Sequence, residues 1–269
     1  MSTVIAPRPI LKWAGGKQGL AKQLVGLFPD GFRTYYEPFF GGGSVLFTLR
    51  PGRAVVGDLN HWLLDTYRAV RDDPAGVARQ LDGMANTKAE YERIRAIAPE
   101  GRGLVERAAQ FIYLNKTCFR GLFRVNKKGR FNVPYGAYDR RYYDPANLEA
   151  VAGCLQGVEI RATDFESCLA DVQADDFVYL DPPYFKQGGY SDFDRYTPGK
   201  FREPDHARLA ALCRKLDASG VRWALSNSDT PHVRELFDGF RLTTLTNRRD
   251  INLDARSRTI SELLITNYA

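Results

Sequence analysis

The sequence predicts an α/β fold, an open sheet of short buried strands interrupted by a mainly helical insert. Three observations carry this. Short apolar runs recur, with Tyr35-Tyr36, Ala54-Val55-Val56-Gly57 and Phe177-Val178-Tyr179-Leu180 among them, and they lack the polar alternation of a half-solvated strand. Segments with apolar residues at helical spacing separate those runs. Across 60–144 the strand signal gives way to helical patterning and then to a basic, aromatic stretch, so 1–59 and 145–269 are expected to form one domain around that insert.

Ile10-Leu11-Lys12-Trp13-Ala14-Gly15-Gly16-Lys17 comes first, a glycine turn running into a helical pattern over 18–28 (Leu20, Leu24, Leu27, Phe28). Such a turn can present backbone N–H groups to an anion. It is not a P-loop, because Leu11 stands where the first glycine belongs and Gln18 replaces the Ser/Thr after Lys17. An ATPase reading fails there.

Tyr35-Tyr36-Glu37-Pro38-Phe39-Phe40-Gly41-Gly42-Gly43-Ser44 reads as a strand, a glycine loop and the start of a helix. Adjacent glycines let a ligand approach the backbone closely. Leu46 breaks the dinucleotide fingerprint. Downstream, Ala54 to Gly57 is a second strand that ends in Asp58, an acid placed to accept hydrogen bonds from both ribose hydroxyls. Loop, strand and acid together point to a nucleoside-containing cofactor.

Helical spacing then covers Trp62 to Val70, Val77 to Met84, Tyr91 to Ile97 and Val105 to Tyr113, punctuated by Pro74, Pro99 and Gly101-Arg102-Gly103. Phe123-Arg124-Val125 and Arg130-Phe131-Asn132-Val133 alternate around the turn Asn126-Lys127-Lys128-Gly129, which predicts a β-hairpin. From Lys116 to Arg141 the basic residues include Arg120, Arg124, Lys127, Lys128, Arg130 and Arg140 against one acid, Asp139. Basic residues interleaved with aromatics such as Phe119 suit a nucleic acid, phosphates meeting the charge and apolar groups wedging the stack.

After Asp144-Pro145 the rhythm resumes with a helix over 147–155, a strand Val158-Glu159-Ile160, and Thr163-Asp164-Phe165 as another strand-end site. The strand Phe177 to Leu180 ends in Asp181-Pro182-Pro183-Tyr184. Two prolines stiffen the turn and remove two donors. The Asp181 carboxylate and the Pro182 carbonyl can each accept a hydrogen bond from an amino group, and Tyr184 can stack on the ring that bears it. That is a grip for a flat amino-bearing group at the carboxyl end of a strand, where open sheets bind ligands. A long aperiodic loop spans 185–204 and a helix 205–216. A strand 221–225 and two terminal strands, 240–246 and 261–267, able to pair as a hairpin, complete the chain.

Composition bounds the function. The 269 residues, 44% hydrophobic and 26% charged, fit one large domain or a domain with an insert. A net charge of +6 favours a polyanionic partner. The scattered Cys118, Cys154, Cys168 and Cys213, with His61, His206 and His232, lack metal-ligand spacing, so no metal is expected. Neither a signal peptide nor a membrane-spanning run is evident, and a cytoplasmic, monomeric protein is expected.

Taken together, these motifs in this order resemble the Dam-type (D12 class, alpha group) DNA adenine-N6 methyltransferases, from Leu11 to Tyr268. The resemblance implies a Rossmann-like S-adenosylmethionine-dependent methyltransferase sheet, with 60–144 as the target-recognition subdomain bearing the hairpin. It assigns Trp13, Lys17, Asp58 and Asp181 to the cofactor. Glu37, Gly41 and Gly43 would lie along its methionine and ribose parts, and Asp164 and Phe165 around its adenine. Double-stranded DNA would meet Lys12, Phe119, Arg120, Arg124, Asn126, Lys127, Lys128 and Arg130, with Arg124 reading guanine and Lys12 making a second base contact. Many relatives carry an asparagine where this chain has Arg120. The implied site is GATC. Asp181, Pro182 and Tyr184 would be catalytic, acting on an adenine flipped from the duplex because N6 is out of reach inside it. The rival readings are an RNA or protein methyltransferase on the same fold, or a non-catalytic DNA-binding protein.

Overall fold

The computed structural model describes residues 5–185, 201–248 and 259–269. Its centre is a sheet of seven strands in the order β3-β2-β1-β4-β5-β7-β6. These are β1 (Tyr35–Glu37), β2 (Ala54–Gly57), β3 (Val158–Arg161), β4 (Phe177–Leu180), β5 (Arg222–Ser228), β6 (Arg241–Arg248) and β7 (Thr259–Thr266). The first five pair in parallel, while β7 runs antiparallel to both β5 and β6. The strand order reverses between β1 and β4, and at such a switch point the loops leave in opposite directions and open a crevice.

The inner strands β1, β2 and β4 are buried throughout because both faces are covered, whereas the edge strand β3 alternates. Alternate residues point to opposite faces. Tyr35, Ala54, Val56, Phe177, Tyr179, Ala224 and Leu264 join one core, and Tyr36, Val55, Val178, Leu180, Trp223, Leu225 and Leu263 join the other. The first core is closed by α1 (Ala21–Val25), α2 (Ser44–Leu49), α3 (His61–Asp72), α4 (Pro74–Asp82), α5 (Lys88–Ala96), α6 (Leu104–Thr117) and α7 (Pro145–Cys154). The second is covered by α8 (Phe165–Cys168), α9 (Glu203–Ala218) and α10 (Pro231–Leu236).

The helices begin where the sequence supplies caps. Asn60, Asp73, Thr87, Asp144, Asp164 and Thr230 each accept a backbone N–H of the first turn, which would otherwise lack a partner. The helix expected over 18–28 is shorter, Ala21–Val25, because its N-cap Leu20 offers no acceptor and Gly26 closes it. The helix α3 serves both halves of the chain. Arg68 and Arg71 on it donate to the carbonyls of Ile160 and Val158, while the helix also packs on α6.

The hairpin is a minimal one. Val125 and Phe131 form one bridge, flanked by Asn126 N–H to Arg130 O at 2.8 Å and Asn132 N–H to Arg124 O at 2.9 Å. A second bridge, Cys118↔Tyr135, with Phe119 N–H to Pro134 O at 2.8 Å, ties the base of the arms, and Phe123, Phe131 and Val133 are buried on the inner side. The two terminal strands pair in register from Arg241↔Thr266 to Arg248↔Thr259. Of the long loop expected over 185–204, residues 186–200 lie outside the described residues. No helix among the described residues is long and apolar enough to cross a membrane.

Candidate active site

At the switch point β1 delivers Glu37 and β4 delivers Asp181. The chain leaving β1 turns through Gly41 and Gly43, both at positive φ, 50° and 71°. A Cβ on Gly41 would lie 2.9 Å from Trp13 Cδ1, and one on Gly43 would lie 2.8 Å from the rings of Phe40 and Phe47. Glycine is required at both for conformation and for space. The loop is then tied to β2, since Gly41 N–H donates to Asp58 Oδ2 at 3.1 Å and Asn60 N–H to Asp58 Oδ1 at 2.9 Å. Burial pushes the Asp58 carboxyl up, and those backbone donors pull against it. With the backbone N–H of Leu59, three of its acceptor positions are used, which leaves room for one more donor.

The ion pair at the centre is Lys17 Nζ to Asp181 Oδ1, 2.8 Å. Lys17 also donates to Gly15 O at 2.9 Å, so the glycine turn holds the ammonium in place. The same ammonium lies 4.6 Å from the centroid of the Tyr184 ring. Burial pushes Asp181 up to about 6 against the pull of Lys17, with Glu262 adding to the rise. Glu37 is 3% exposed, and its Oε2 accepts from the Tyr35 hydroxyl at 3.0 Å. Burial drives Glu37 up to about 8, so it is predominantly neutral at pH 7.

The Asp164 carboxylate caps α8 through Ser167 N–H at 2.9 Å and meets Arg208 at 3.3 Å. Phe165 is buried rather than open, its ring stacked on Phe39 at 5.5 Å with Arg208 4.5 Å above it. Through Phe39 this pair joins the loop that follows β1. The site residues from the glycine turn, the β1 loop, β2, β4 and α8 therefore form one connected set.

Apart from Lys12, the expected DNA contacts lie within 60–144, a segment that meets that set at several places, among them the Tyr67 hydroxyl on Gly42 O at 2.8 Å. Asn115, fully buried on α6, accepts from Lys12 N–H at 2.7 Å and donates to Lys12 O at 2.9 Å and Gly121 O at 3.3 Å. Trp13 packs on Phe123 at 5.6 Å. Phe119 is 45% exposed, and Arg120 beside it takes φ 58° with its N–H on the Tyr138 hydroxyl. The Arg124 guanidinium is turned to its own hairpin, on Asn132 Oδ1 at 2.6 Å and Asn132 O at 2.7 Å. Asn126 shapes the turn by accepting from Lys128 and Arg130 N–H, and Arg130 pairs with Glu100. Lys127 and Lys128 are exposed.

Several functional neighbours escaped sequence reasoning. The Tyr184 hydroxyl donates to Glu262 Oε2 at 2.7 Å. Asn227 and Ser228 bind Phe185 from β5. The signal for these was faint, a polar tail on the apolar β5 and one acid early in β7. Lys116 is a further cation in the insert, pushed down to about 8 by burial and by Lys12, Arg140 and Arg8.

Comparison with known proteins now bears on this geometry. The family model of D12 class N6 adenine-specific DNA methyltransferases matches residues 13–251. The type II methyltransferase M.MjaIII of Methanocaldococcus jannaschii is 38% identical over 286 residues, covering 97% of this chain and 99% of that protein. The type II methyltransferase M1.LlaDCHI of Lactococcus lactis is 36% identical over 271 residues, with 97% and 95% covered. A DNA adenine methylase of Vibrio cholerae is 32% identical over 263 residues, with 96% and 95% covered.

Proposed function

The chain belongs to the D12 class of N6 adenine-specific DNA methyltransferases, and from that premise we propose that it takes its methyl group from S-adenosylmethionine and delivers it to an adenine flipped out of duplex DNA within GATC. The observation that carries this reading is the Asp181 carboxylate, held at the switch point beside the Tyr184 ring.

The donor set fits the cofactor. A glycine loop too tight for a Cβ gives backbone access. Asp58 retains acceptor capacity for a ribose hydroxyl. Lys17 and Asp181 offer opposite charges to the carboxylate and ammonium of the methionine part. Trp13, Glu37, Gly41, Gly43 and Asp164 complete the wall, with Phe165 behind it, stacked on Phe39. When bound, S-adenosylmethionine supplies a methyl group already activated on sulfonium sulfur.

The protein's task is alignment. Asp181 and the Pro182 carbonyl accept the two N6 hydrogens, which draws the lone pair out of the ring plane, and Tyr184 stacks on the base. Extruding the adenine costs roughly a few kcal/mol, set against these contacts. As N6 gains the methyl, Asp181 accepts the proton that N6 loses. No covalent intermediate with the protein is needed. The insert grips the duplex, with Lys12, Phe119, Arg120, Asn126, Lys127, Lys128 and Arg130 around it and Arg124 reading a guanine. The enzyme acts on cytoplasmic DNA as a monomer, so sedimentation should return a mass near 30.3 kDa.

The test is to incubate unmethylated plasmid with the protein and S-adenosylmethionine and map modified bases at single-base resolution. N6-methyladenine confined to one motif is the expected result, lost in Asp181→Ala while DNA binding persists. Cofactor binding without modified adenine would instead move the substrate to RNA or protein.

A further inference from the structure

Tyr184 sits between two fixed stretches of backbone. On one side Pro182 and Pro183 lock φ. On the other, Phe185 N–H donates to Asn227 Oδ1 at 3.1 Å, and Phe185 O accepts from the Ser228 hydroxyl at 2.6 Å. The backbone leaves the direction of the ring undecided, because the side chain has three staggered χ1 wells. One bond selects among them, the Tyr184 hydroxyl donating to Glu262 Oε2 at 2.7 Å.

Glu262 reaches this place because of the sheet's topology. It lies early in β7, opposite Ser228 of β5 and Leu245 of β6. Since β7 runs against its neighbours, its beginning lies at the carboxyl ends of the parallel strands, the edge that carries Asp181 and Tyr184. A parallel strand in the same slot would start at the opposite edge. Lys17 stands over the ring at 4.6 Å. A cation on the face and an anion on the hydroxyl together fix the ring.

We propose that Glu262 is a positioning residue for methyl transfer, orienting the Tyr184 ring for stacking on the target adenine. The inference rests on the reading of Tyr184 as the stacking partner. Glutamate suits the task, since a bond from a phenol to a carboxylate is charge-assisted and roughly twice as strong as a neutral one.

The experiment uses the full chain, S-adenosylmethionine and a duplex carrying the mapped motif, with 2-aminopurine at the target adenine in a parallel set. Glu262→Ala should lower kcat by about tenfold to a hundredfold, as ring misplacement does, while cofactor affinity measured by calorimetry stays put. Tyr184→Phe removes the same bond from the other end and should match it, and the double variant should be no worse than either. Glu262→Gln keeps an acceptor and should recover most of kcat. The flipped 2-aminopurine, quenched by stacking on Tyr184, should brighten in Glu262→Ala and Tyr184→Phe. Should Glu262→Ala fail to fold, Tyr184→Phe decides the matter alone. If both variants keep near wild-type kcat and quenching while Tyr184→Ala is inactive, the proposal for Glu262 is overturned. If Tyr184→Ala itself remains active and quenched, the stacking reading falls instead.

Discussion

Lys17 and Asp181 form a 2.8 Å ion pair whose side chains are only 5% and 17% exposed. Removing one partner of a buried pair strands the other. Lys17→Met should therefore lose about 2 kcal/mol at pH 7, less than the full penalty because Asp181 can escape by protonating. Urea unfolding at pH 7 and pH 5 checks this. The difference from wild type should shrink at pH 5, where Asp181, held up at about 6, is largely protonated in both proteins.

The same group sets an acid limb on activity. Burial raises Asp181 to about 6, with Lys17 opposing. In the proposed mechanism only its ionised form can take the proton that N6 loses, so kcat/KM should fall as pH drops through about 6, with unit slope in the free enzyme. Asp181→Asn should abolish transfer across the range. A profile flat down to pH 5 would remove Asp181 from the role.

Glu37 makes stability itself depend on pH. Burial raises it from 4.5 to about 8, so the native state holds a proton that the unfolded chain releases. Its contribution is fully present below about 4.5 and is lost as pH rises through about 8. The slope over that window is on the order of 1 kcal/mol per pH unit. Glu37→Gln should flatten it, which melting curves from pH 5 to 8.5 would register.

If Arg124 reads a guanine as proposed, it should divide specific from general binding. To read a guanine its guanidinium must exchange Asn132 for the base. Arg124→Ala should relax preference at one base pair by about 1–3 kcal/mol. Lys127→Ala with Lys128→Ala should weaken all sequences alike and reduce the salt dependence. Competition binding at two salt concentrations separates the two behaviours, and uniform weakening in Arg124→Ala would make it a phosphate contact.

The sequence revealed those parts of the fold that depend on local pattern. Tyr35–Glu37, Ala54–Gly57 and Phe177–Leu180 are strands because their apolar runs meet buried layers on both faces, and Glu37, Asp58 and Asp181 stand at their ends. The Asp-Pro-Pro-Tyr turn was legible because two prolines leave few conformations. Contacts between distant segments were not legible. Glu262 meets Tyr184 across 78 positions, and only because β7 is inverted. Phe165 turns inward because Phe39 offers it a face to stack on. The hydrogen bonds from Arg124 to Asn132 depend on the rotamer, which residue spacing does not encode.

Asn115 grips both the N–H and the carbonyl of Lys12 while also donating to Gly121. The two peptide groups of the amino-terminal segment are thereby bonded from within the insert, more than a hundred positions away. For protein engineering this sets where a chimera can be cut. An insert moved between proteins with boundaries drawn at 60 and 144 would be parted from the stretch of chain that position 115 holds here. A graft meant to retarget the enzyme should carry residues 8–13 along with the insert, as a third spliced piece.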